Sequence, residues 1–310
     1  MTTLLVTHPA CLAHEMGPGH PERPDRLRAI EAILEDERFQ GLIREQAPRA
    51  PRGAILRVHP EDYVAALEGA APAKGLTWLD ADTAMGPGTW EASLRAAGGA
   101  VAAVDEVMGS KAANAFVAVR PPGHHAERAT AMGFCFLNNA AIAARHAQAE
   151  HGAERVAILD FDVHHGNGTQ DIFWSDATVM YASTHQMPLY PGTGGVHERG
   201  EHGTIINAPL APGDGGEQFR AAMETLILPR LEAFRPDLMI ISAGFDAHQR
   251  DPLGNLNLTE ADYAWATGKV MDIAGRHARG RVVSVLEGGY DLAGLSRSAA
   301  AHVQTLMEGD

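Results

Sequence analysis

The feature of the sequence that most constrains its fold is a series of short, continuously apolar runs. Each contains β-branched residues, and none alternates apolar with polar residues as a strand with one solvated face does. Continuous runs of this kind are typical of strands buried on both faces of a parallel sheet. They lie at 114–120 (NAFVAVR), 155–162 (RVAILDFD), 178–183 (TVMYAS), 237–242 (DLMIIS) and 281–287 (RVVSVLE).

Amphipathic helical patterns lie between these runs. One begins near Pro24, and another is marked by apolar residues from Trp90 to Val104. Further helices are predicted at 139–150, 217–234, 260–277 and 292–307. Pro229 is expected to kink or interrupt the second of these four, because proline lacks a backbone N–H. The alternation of strand and helix predicts an α/β fold: a single three-layer domain over residues 1–310 with a mostly parallel central sheet.

The composition is that of an ordinary globular protein, with 45% apolar and 21% charged residues among 310. There are 39 acidic and 25 basic residues, so the formal net charge is −14. A chain this acidic has no overall electrostatic attraction to nucleic acid or to anionic lipid. We therefore expect neither nucleic acid nor a membrane as a partner, whereas a basic partner would be attracted.

The cysteines and the N-terminal segment bear on the compartment. Cys11 and Cys135 are 124 positions apart, which indicates neither a disulfide scaffold nor a cysteine-type zinc site. No targeting segment and no apolar run of about 18 residues is apparent. A reducing, cytoplasmic location is the expectation.

Polar clusters follow four of the predicted strands. They are PPGHH (121–125), VHHGNG (163–168), AGFDAH (243–248) and GGYD (288–291). Ligands of open α/β sheets bind at the carboxyl ends of strands. Four strand ends that carry His, Asp and Tyr therefore predict one site assembled from distant parts of the chain.

Asp160, Asp162 and His164 occupy alternate positions at the end of one predicted strand. In extended backbone such side chains point to one side. Two buried carboxylates are unfavourable unless a cation compensates them, and a carboxylate with an imidazole suits a divalent metal. The alternative is an aspartate that caps the next helix, with the histidine bonded to backbone. We favour the metal, with Asp246 as a third ligand and an open position that is typical of catalytic zinc.

Two further groups at the strand ends suit catalysis. His124 and His125 follow a turn, and one imidazole tuned by a carboxylate can act as acid or base near neutral pH. Tyr290 follows two glycines that allow close approach of a loop, and its phenol could stabilise an oxyanion. The alternatives are surface histidines and a tyrosine that packs on a glycine turn.

Six motifs in order resemble those of the histone deacetylase family, most closely its class II members and their bacterial amidohydrolase relatives. They are HPERP (20–24), RPPGHHA (120–126), GFCFLNN (133–139), LDFDVHHGNGTQ (159–170), SAGFDAH (242–248) and LEGGYD (286–291). The match covers nearly the whole chain. It implies the arginase–deacetylase fold, an α/β domain with its site at the strand ends.

The resemblance implies two metal sites. Asp162, His164 and Asp246 match the ligands of one catalytic Zn²⁺. A structural K⁺ is implied by a second set of positions: Asp160, Asp162, His164, Ser183 and Thr184.

The resemblance also assigns roles in amide hydrolysis. His125 is implied to be the general base that activates the attacking water. His124, oriented by Asp160, is implied to assist electrostatically or to protonate the leaving amine, and Tyr290 to polarise the amide carbonyl. Asn167 stands where class I members have an aspartate beside the second histidine, and this favours the class II branch.

The channel for the acylated side chain is implied by a further group of positions. Phe134 and Tyr190 are expected to flank it, and Gly133 to place its carbonyl near the leaving amine. Gly289 is expected to bring its loop close to the substrate. Leu253 occupies the position at which polyamine-selective relatives carry a glutamate, which disfavours polyamines. Tyr190 replaces a phenylalanine and leaves the acyl preference open.

The function predicted from these residues is zinc-dependent hydrolysis of the amide of N-acyl-lysine side chains. The alternative within this class is deacetylation of acetylpolyamines or other small N-acyl amines. A two-metal arginase-like hydrolase would need additional carboxylates in place of the paired histidines and Tyr290. Intact metal-ligand positions disfavour a non-catalytic acyl-lysine binder. The oligomeric state is left open.

Overall fold

The continuously apolar runs form strands of a parallel sheet in the computed structural model, which describes residues 2–309. The strands within that range are β1 (Thr3–Thr7), β2 (Ile43–Gln46), β3 (Thr77–Trp78), β4 (Ala84–Met85), β5 (Asn114–Val117), β6 (Val156–Asp160), β7 (Val179–Gln186), β8 (Ile205–Leu210), β9 (Leu238–Ala243) and β10 (Val282–Leu286). Eight of these described strands form the sheet, in the order β2-β1-β5-β10-β9-β6-β7-β8, and β3 pairs with β4 in an antiparallel hairpin. All ladders of the large sheet are parallel.

Helices cover both faces of this sheet, which is why its strands are apolar throughout. The helices found in residues 2–309 are α1 (Asp25–Ile33), α2 (Arg52–Leu56), α3 (Glu61–Ala70), α4 (Thr89–Met108), α5 (Asn139–His151), α6 (Asn167–Phe173), α7 (Gly216–Ala222), α8 (Leu228–Phe234), α9 (Glu260–His277) and α10 (Leu292–Glu308). One layer contains α4 and α5, which pack on each other and on the central strands; a second contains α1, α9 and α10. The predicted α/β class, with three layers and a parallel sheet, is confirmed.

The predicted helix at 217–234 is divided into two helices. A π-helical turn, Met223–Ile227, separates α7 from α8, and Pro229 lies in the first turn of α8. Proline is tolerated there because a first-turn N–H has no intrahelical acceptor. The interruption therefore lies just before the proline, where the wider turn accommodates its ring.

Two edge regions of the sheet were not predicted. β2 has the sequence IREQ, and all four of its residues are exposed, so it lacks the apolar signal of the inner strands. β1 and β8 are apolar but were not identified as strands. The central order β5-β10-β9-β6 places the carboxyl ends of the four predicted site-bearing strands side by side. Among residues 2–309, no helix has the length and apolar character needed to cross a membrane.

Candidate active site

Asp162, His164 and Asp246 meet at the carboxyl ends of β6 and β9. Their ligand atoms all lie within 4.8 Å of one another, and all three residues are buried. Nδ1 of His164 is 3.0 Å from Oδ1 of Asp162 and 3.2 Å from Oδ2 of Asp246. Backbone N–H groups of Gly288 and Val163 donate to the two carboxylates and fix their orientation.

Glycines keep the space between these carboxylates open. A Cβ atom at Gly244 would lie 2.1 Å from Oδ2 of Asp162, and one at Gly288 would lie 2.1 Å from Oδ2 of Asp246. Two oxygen donors and one nitrogen donor around a space that a methyl group would fill are suited to a small divalent cation. The residues therefore fit the zinc implied by the sequence.

The electrostatics of this cluster also favour a cation. Burial and the neighbouring Asp162 carboxylate raise the pKa of Asp246 to about 7. Burial alone would lower the pKa of His164, but its contacts with Asp162 and Asp246 outweigh burial and raise that pKa to about 10. Both pKa values are raised, as expected where a buried site has excess negative charge. A bound cation would neutralise that charge.

His124 and His125 lie side by side, with ring centroids 4.0 Å apart, but they have different partners. Nδ1 of His124 faces Oδ2 of Asp160 at 3.0 Å, and that oxygen also accepts a hydrogen bond from Tyr181. Nδ1 of His125 faces Oδ1 of Asn167 at 2.8 Å. One imidazole is thus paired with a carboxylate and the other with a neutral amide.

These partners shift the pKa values of the two histidines in opposite directions. Burial opposes the charge of His124, but Asp162 and Asp160 outweigh it and raise its pKa well above the usual value. Burial lowers the pKa of His125 well below the usual value, and the positive charges of His124 and His164 add to this effect. His124 is therefore the more easily protonated imidazole of the pair, and His125 the less easily protonated one.

The tautomer of His125 follows from its neighbours. The amide nitrogen of Asn167 donates to Oε1 of Glu127 at 2.9 Å, so the amide oxygen is the atom that faces His125. Nδ1 of His125 must then carry the proton, and its Nε2 keeps a lone pair. This is the form that a general base requires.

Tyr290 is held above a buried guanidinium. The Arg26 guanidinium carbon lies 4.8 Å from the centroid of the Tyr290 ring, and Arg26 Nε donates to the carbonyl of Gly289 at 2.6 Å. Arg26 is itself paired with Glu22, between Nη1 and Oε1 at 2.9 Å. Burial raises the pKa of Tyr290 well above the usual value, so the phenol keeps its proton and can donate it in a hydrogen bond.

A cavity of about 240 Å³ leads to these groups. It is lined by Asp82, His125, Gly133, Phe134, His164, Leu189, Tyr190, Leu253 and Tyr290. All the channel residues predicted from the sequence therefore border it except Gly289, whose carbonyl is bonded to Arg26. A depression of about 370 Å³ against α9 and α10 is larger, but it shares none of these residues and has no histidine or cysteine in its lining.

The wall of this cavity depends on an unusual backbone conformation. Gly133 and Phe134 have positive φ angles of 56° and 69°. A Cβ at Gly133 would lie 2.5 Å from Cδ2 of His125, so glycine is required for the loop to approach the imidazole. The strained conformation of Phe134 is stabilised by its N–H, which donates to Oγ1 of Thr83 at 3.0 Å.

The positions assigned to potassium adjoin this site on adjacent strands. The β6–β7 register pairs Asp160 with Ser183, and Thr184 is the next residue. Oγ of Ser183 lies 2.9 Å from Nδ1 of His185. Potassium itself stays a prediction.

Comparisons with known proteins agree with this geometry. The sequence model of the family described as "Histone deacetylase domain" matches residues 20–306. The chain belongs to the histone deacetylase family.

Three members of this family show the extent of the similarity. The histone deacetylase-like amidohydrolase of Pseudomonas aeruginosa is 42% identical, with 88% of this chain and 73% of that protein covered. Histone deacetylase 10, chloroplastic, of Oryza sativa is 39% identical, with 94% and 71% covered. The crystal structure of the HDA15 HD domain superposes with a TM-score of 0.93 at 38% identity, over 99% of this chain and 88% of that one. The arginase–deacetylase fold and deacetylase-type amidohydrolase activity follow.

Several residues of this deacetylase-family site were not identified from the sequence. Asp82 lines the cavity from a loop that carries no motif. Tyr181 donates a hydrogen bond to Asp160 from β7, where its segment has only the signal of an apolar strand. Glu287 accepts hydrogen bonds from the backbone N–H groups of Gly123 and His124. Only Glu287 had a local signal, a carboxylate at the end of a buried strand.

Proposed function

We propose that the protein is a zinc-dependent amidohydrolase that removes acyl groups from lysine side chains. The observation that carries this proposal is the position of the Asp162–His164–Asp246 cluster in contact with the cavity that His125 and Tyr290 also line. Zinc bound there would polarise the amide carbonyl and make water more acidic. The remaining chemistry falls to side chains of the protein.

His125 is the general base of the proposed reaction. Its Nε2 lone pair accepts a proton from the attacking water, and the low pKa keeps the imidazole neutral at physiological pH. Asn167 holds the ring in the required tautomer without adding negative charge. The imidazole is thus oriented by a partner that does not add a negative charge beside it.

His124 and Tyr290 act on the other atoms of the amide. His124 is cationic because of Asp160 and Asp162, so it can stabilise developing negative charge and supply a proton to the leaving amine. The Tyr290 hydroxyl donates a hydrogen bond to the carbonyl oxygen as that atom becomes negative. The guanidinium of Arg26 beneath the ring holds Tyr290 in place.

The shape of the cavity favours a long aliphatic amine as substrate. Phe134, Leu189 and Leu253 provide apolar walls suited to the methylenes of a lysine side chain. The second candidate is an acetylated polyamine, and Asp82 is the observation in its favour, because a carboxylate in the cavity wall would attract a distal ammonium. Leu253 disfavours it, since an apolar residue there offers no second anionic contact.

A substrate panel distinguishes these candidates. Zinc-loaded protein is assayed with acetyl-lysine and trifluoroacetyl-lysine peptides, longer acyl-lysine peptides and acetylated polyamines. We expect hydrolysis of lysine peptides that a hydroxamate inhibits, with the acyl groups ranked by rate. Turnover confined to acetylpolyamines would favour the second candidate. No turnover of any substrate by protein that holds zinc would refute lysine deacylation.

Leu253→Glu provides an internal comparison for this panel. The new carboxylate adds an anionic contact to the cavity wall, so the ratio of acetylpolyamine to acetyl-lysine hydrolysis should rise by tenfold or more. Leu253→Met, which conserves volume and polarity, is the control.

Potassium, the absence of nucleic-acid and membrane partners, and the cytoplasmic compartment stay predictions.

A further inference from the structure

We propose a second metal site, formed by Asp105, His146 and His151 near the carboxyl ends of α4 and α5. It would bind a borderline divalent cation such as Zn²⁺. Asp105 lies in the last turn of α4, and both histidines lie in the second half of α5. No motif of the family resemblance includes these residues. The proposal is independent of the proposed catalytic function.

The three side chains converge on one point. Nε2 of His146 and Nε2 of His151 each lie 2.7 Å from Oδ1 of Asp105, and the ligand atoms of all three residues lie within 4.8 Å of one another. The imidazole rings are 5.8 Å apart and nearly perpendicular, at 67°. A cation that replaced the two shared protons would have two nitrogen donors and one oxygen donor, the set that Zn²⁺ and similar ions prefer.

The backbone adds a favourable field. Asp105 is three residues from the end of α4, and His151 is the last residue of α5. The carboxyl ends of both helices thus approach the site, and the partial negative charge of a helix C-terminus favours a cation. His146 is largely buried and His151 partly buried, so their rings are already ordered before a metal binds.

Arg57 is the group that opposes the metal. Its Nη1 lies 3.3 Å from Nδ1 of His146, and its Nη2 contacts Glu150. When Nε2 of His146 binds a cation, Nδ1 carries the proton and can no longer accept a hydrogen bond from Arg57. Arg57 must then move away, which its partly exposed side chain permits. Removal of Arg57 should therefore strengthen metal binding.

This site is separate from the catalytic centre. His146 and His151 are seven and twelve residues beyond the start of α5, which corresponds to about 10 and 18 Å along its axis. The catalytic histidines follow Gly123, which lies against that start: a Cβ at Gly123 would be 2.6 Å from the backbone nitrogen of Asn139. A metal here would join α4 to α5, the two helices that cover one face of the sheet, and would stabilise the fold without entering the reaction.

The experiment measures zinc stoichiometry and affinity. The full chain is stripped with a chelator and titrated with Zn²⁺ against a chromophoric competitor, and thermal unfolding is recorded after one and two equivalents. We expect two equivalents in the wild-type protein and one in Asp105→Asn, with the second affinity weakened at least tenfold. The second equivalent should raise the Tm of the wild-type protein but not of this variant.

Three further variants complete the test. His151→Gln should behave like Asp105→Asn and replaces it if that variant does not fold. His277→Gln is the matched control, because His277 contacts Glu232 at 2.7 Å on the surface without a third ligand; its second affinity should stay within twofold of wild type. Arg57→Gln should bind the second equivalent as tightly as wild type or more tightly. The proposal is overturned if the wild-type protein and both ligand variants bind the same number of zinc equivalents with the same affinities, or if Arg57→Gln binds zinc at this site more weakly than the wild type.

Discussion

Nδ1 of His125 lies 2.8 Å from the amide oxygen of Asn167, so the histidine proposed as general base is oriented by a neutral group. The adjacent His124 has the carboxylate of Asp160 at a similar distance, 3.0 Å. The pKa values of these two imidazoles are shifted in opposite directions, and their different partners contribute to this. This difference divides the base from the acid in the proposed mechanism.

Asn167→Asp should move the acid limb of the pH profile to higher pH. A carboxylate beside His125 stabilises its protonated form and should raise its pKa by about 1–3 units. His125 must be neutral to accept a proton, so a higher pKa means that activity is lost at a higher pH. The measurement is kcat/KM against pH.

This substitution also places two carboxylates together, because Asn167 contacts Glu127. The double variant Asn167→Asp/Glu127→Gln removes that repulsion and should retain the upward shift of the acid limb. An acid limb that stays at its wild-type pH in both variants would contradict the role of His125 as base.

Tyr290→Phe should lower kcat/KM by about 10²- to 10³-fold, the usual effect of removing one donor to an oxyanion. The ring and its contact with Arg26 are retained, so the Tm and the bound zinc should be unchanged. Steady-state kinetics together with metal analysis make the test. Turnover equal to that of the wild-type protein would mean that the hydroxyl has no such role.

Gly288→Ala should abolish metal binding at the catalytic cluster. Its methyl group would lie 2.1 Å from Oδ2 of Asp246 and 2.6 Å from Oδ2 of Asp162, in the space between the ligands. We expect activity to fall more than 100-fold. Gly275→Ala is the matched control, since a Cβ there meets nothing within 4 Å and an alanine inside α9 should stabilise the helix by about 0.5–1 kcal/mol. Wild-type activity in Gly288→Ala would refute the proposed location of the metal.

The contribution of four buried histidines to the stability of the protein should fall as the pH is lowered from about 6.5 to about 4. Burial lowers the pKa of His59 to about 4, and its Nε2 accepts the Asn138 N–H at 2.9 Å, which a protonated ring could not do. Similar depressed pKa values, about 3 to 4, belong to His165, His185 and His302. These pKa values are lower than that of a histidine in the unfolded chain, about 6.5. As the pH falls, the histidines of the unfolded chain therefore bind protons before those of the folded protein. The stabilisation is complete above pH 6.5 and is lost toward pH 4.

His59→Gln isolates one of these contributions. Glutamine can accept and donate the same hydrogen bonds but does not titrate, so the slope of unfolding free energy against pH should decrease by up to about 1.4 kcal/mol per pH unit in this window. His202→Gln, at an exposed position, is the control. Denaturant unfolding at several pH values provides the measurement, and equal slopes in wild type and His59→Gln would exclude this histidine as a source.

The convergence of the candidate site residues was predictable in part because many of them follow the strands directly. Asp162, His164, Asp246 and Tyr290 come after β6, β9 and β10, and parallel strands with buried faces bring their carboxyl ends to one edge. The i, i+2, i+4 pattern was only partly informative. Asp162 and His164 share the metal cluster, whereas Asp160, the last residue of β6, turns to His124 and Tyr181. The strand ends at Asp160, so its alternation does not extend to the next residues.

The sequence by itself determined the α/β class, the inner strands and the chemistry at their ends, because burial on both faces leaves a continuous apolar signal in each short segment. Only the tertiary structure decided which distant segments meet. The exposed strand β2, Asp82 in the cavity wall and the Asp105–His146–His151 cluster have no local signature. His146 and His151 are five residues apart, a spacing that does not place two side chains on one helix face. Their convergence on Asp105 depends on the packing of α4 against α5. The free energy of that packing is summed over the whole interface, so no single segment of the sequence encodes it.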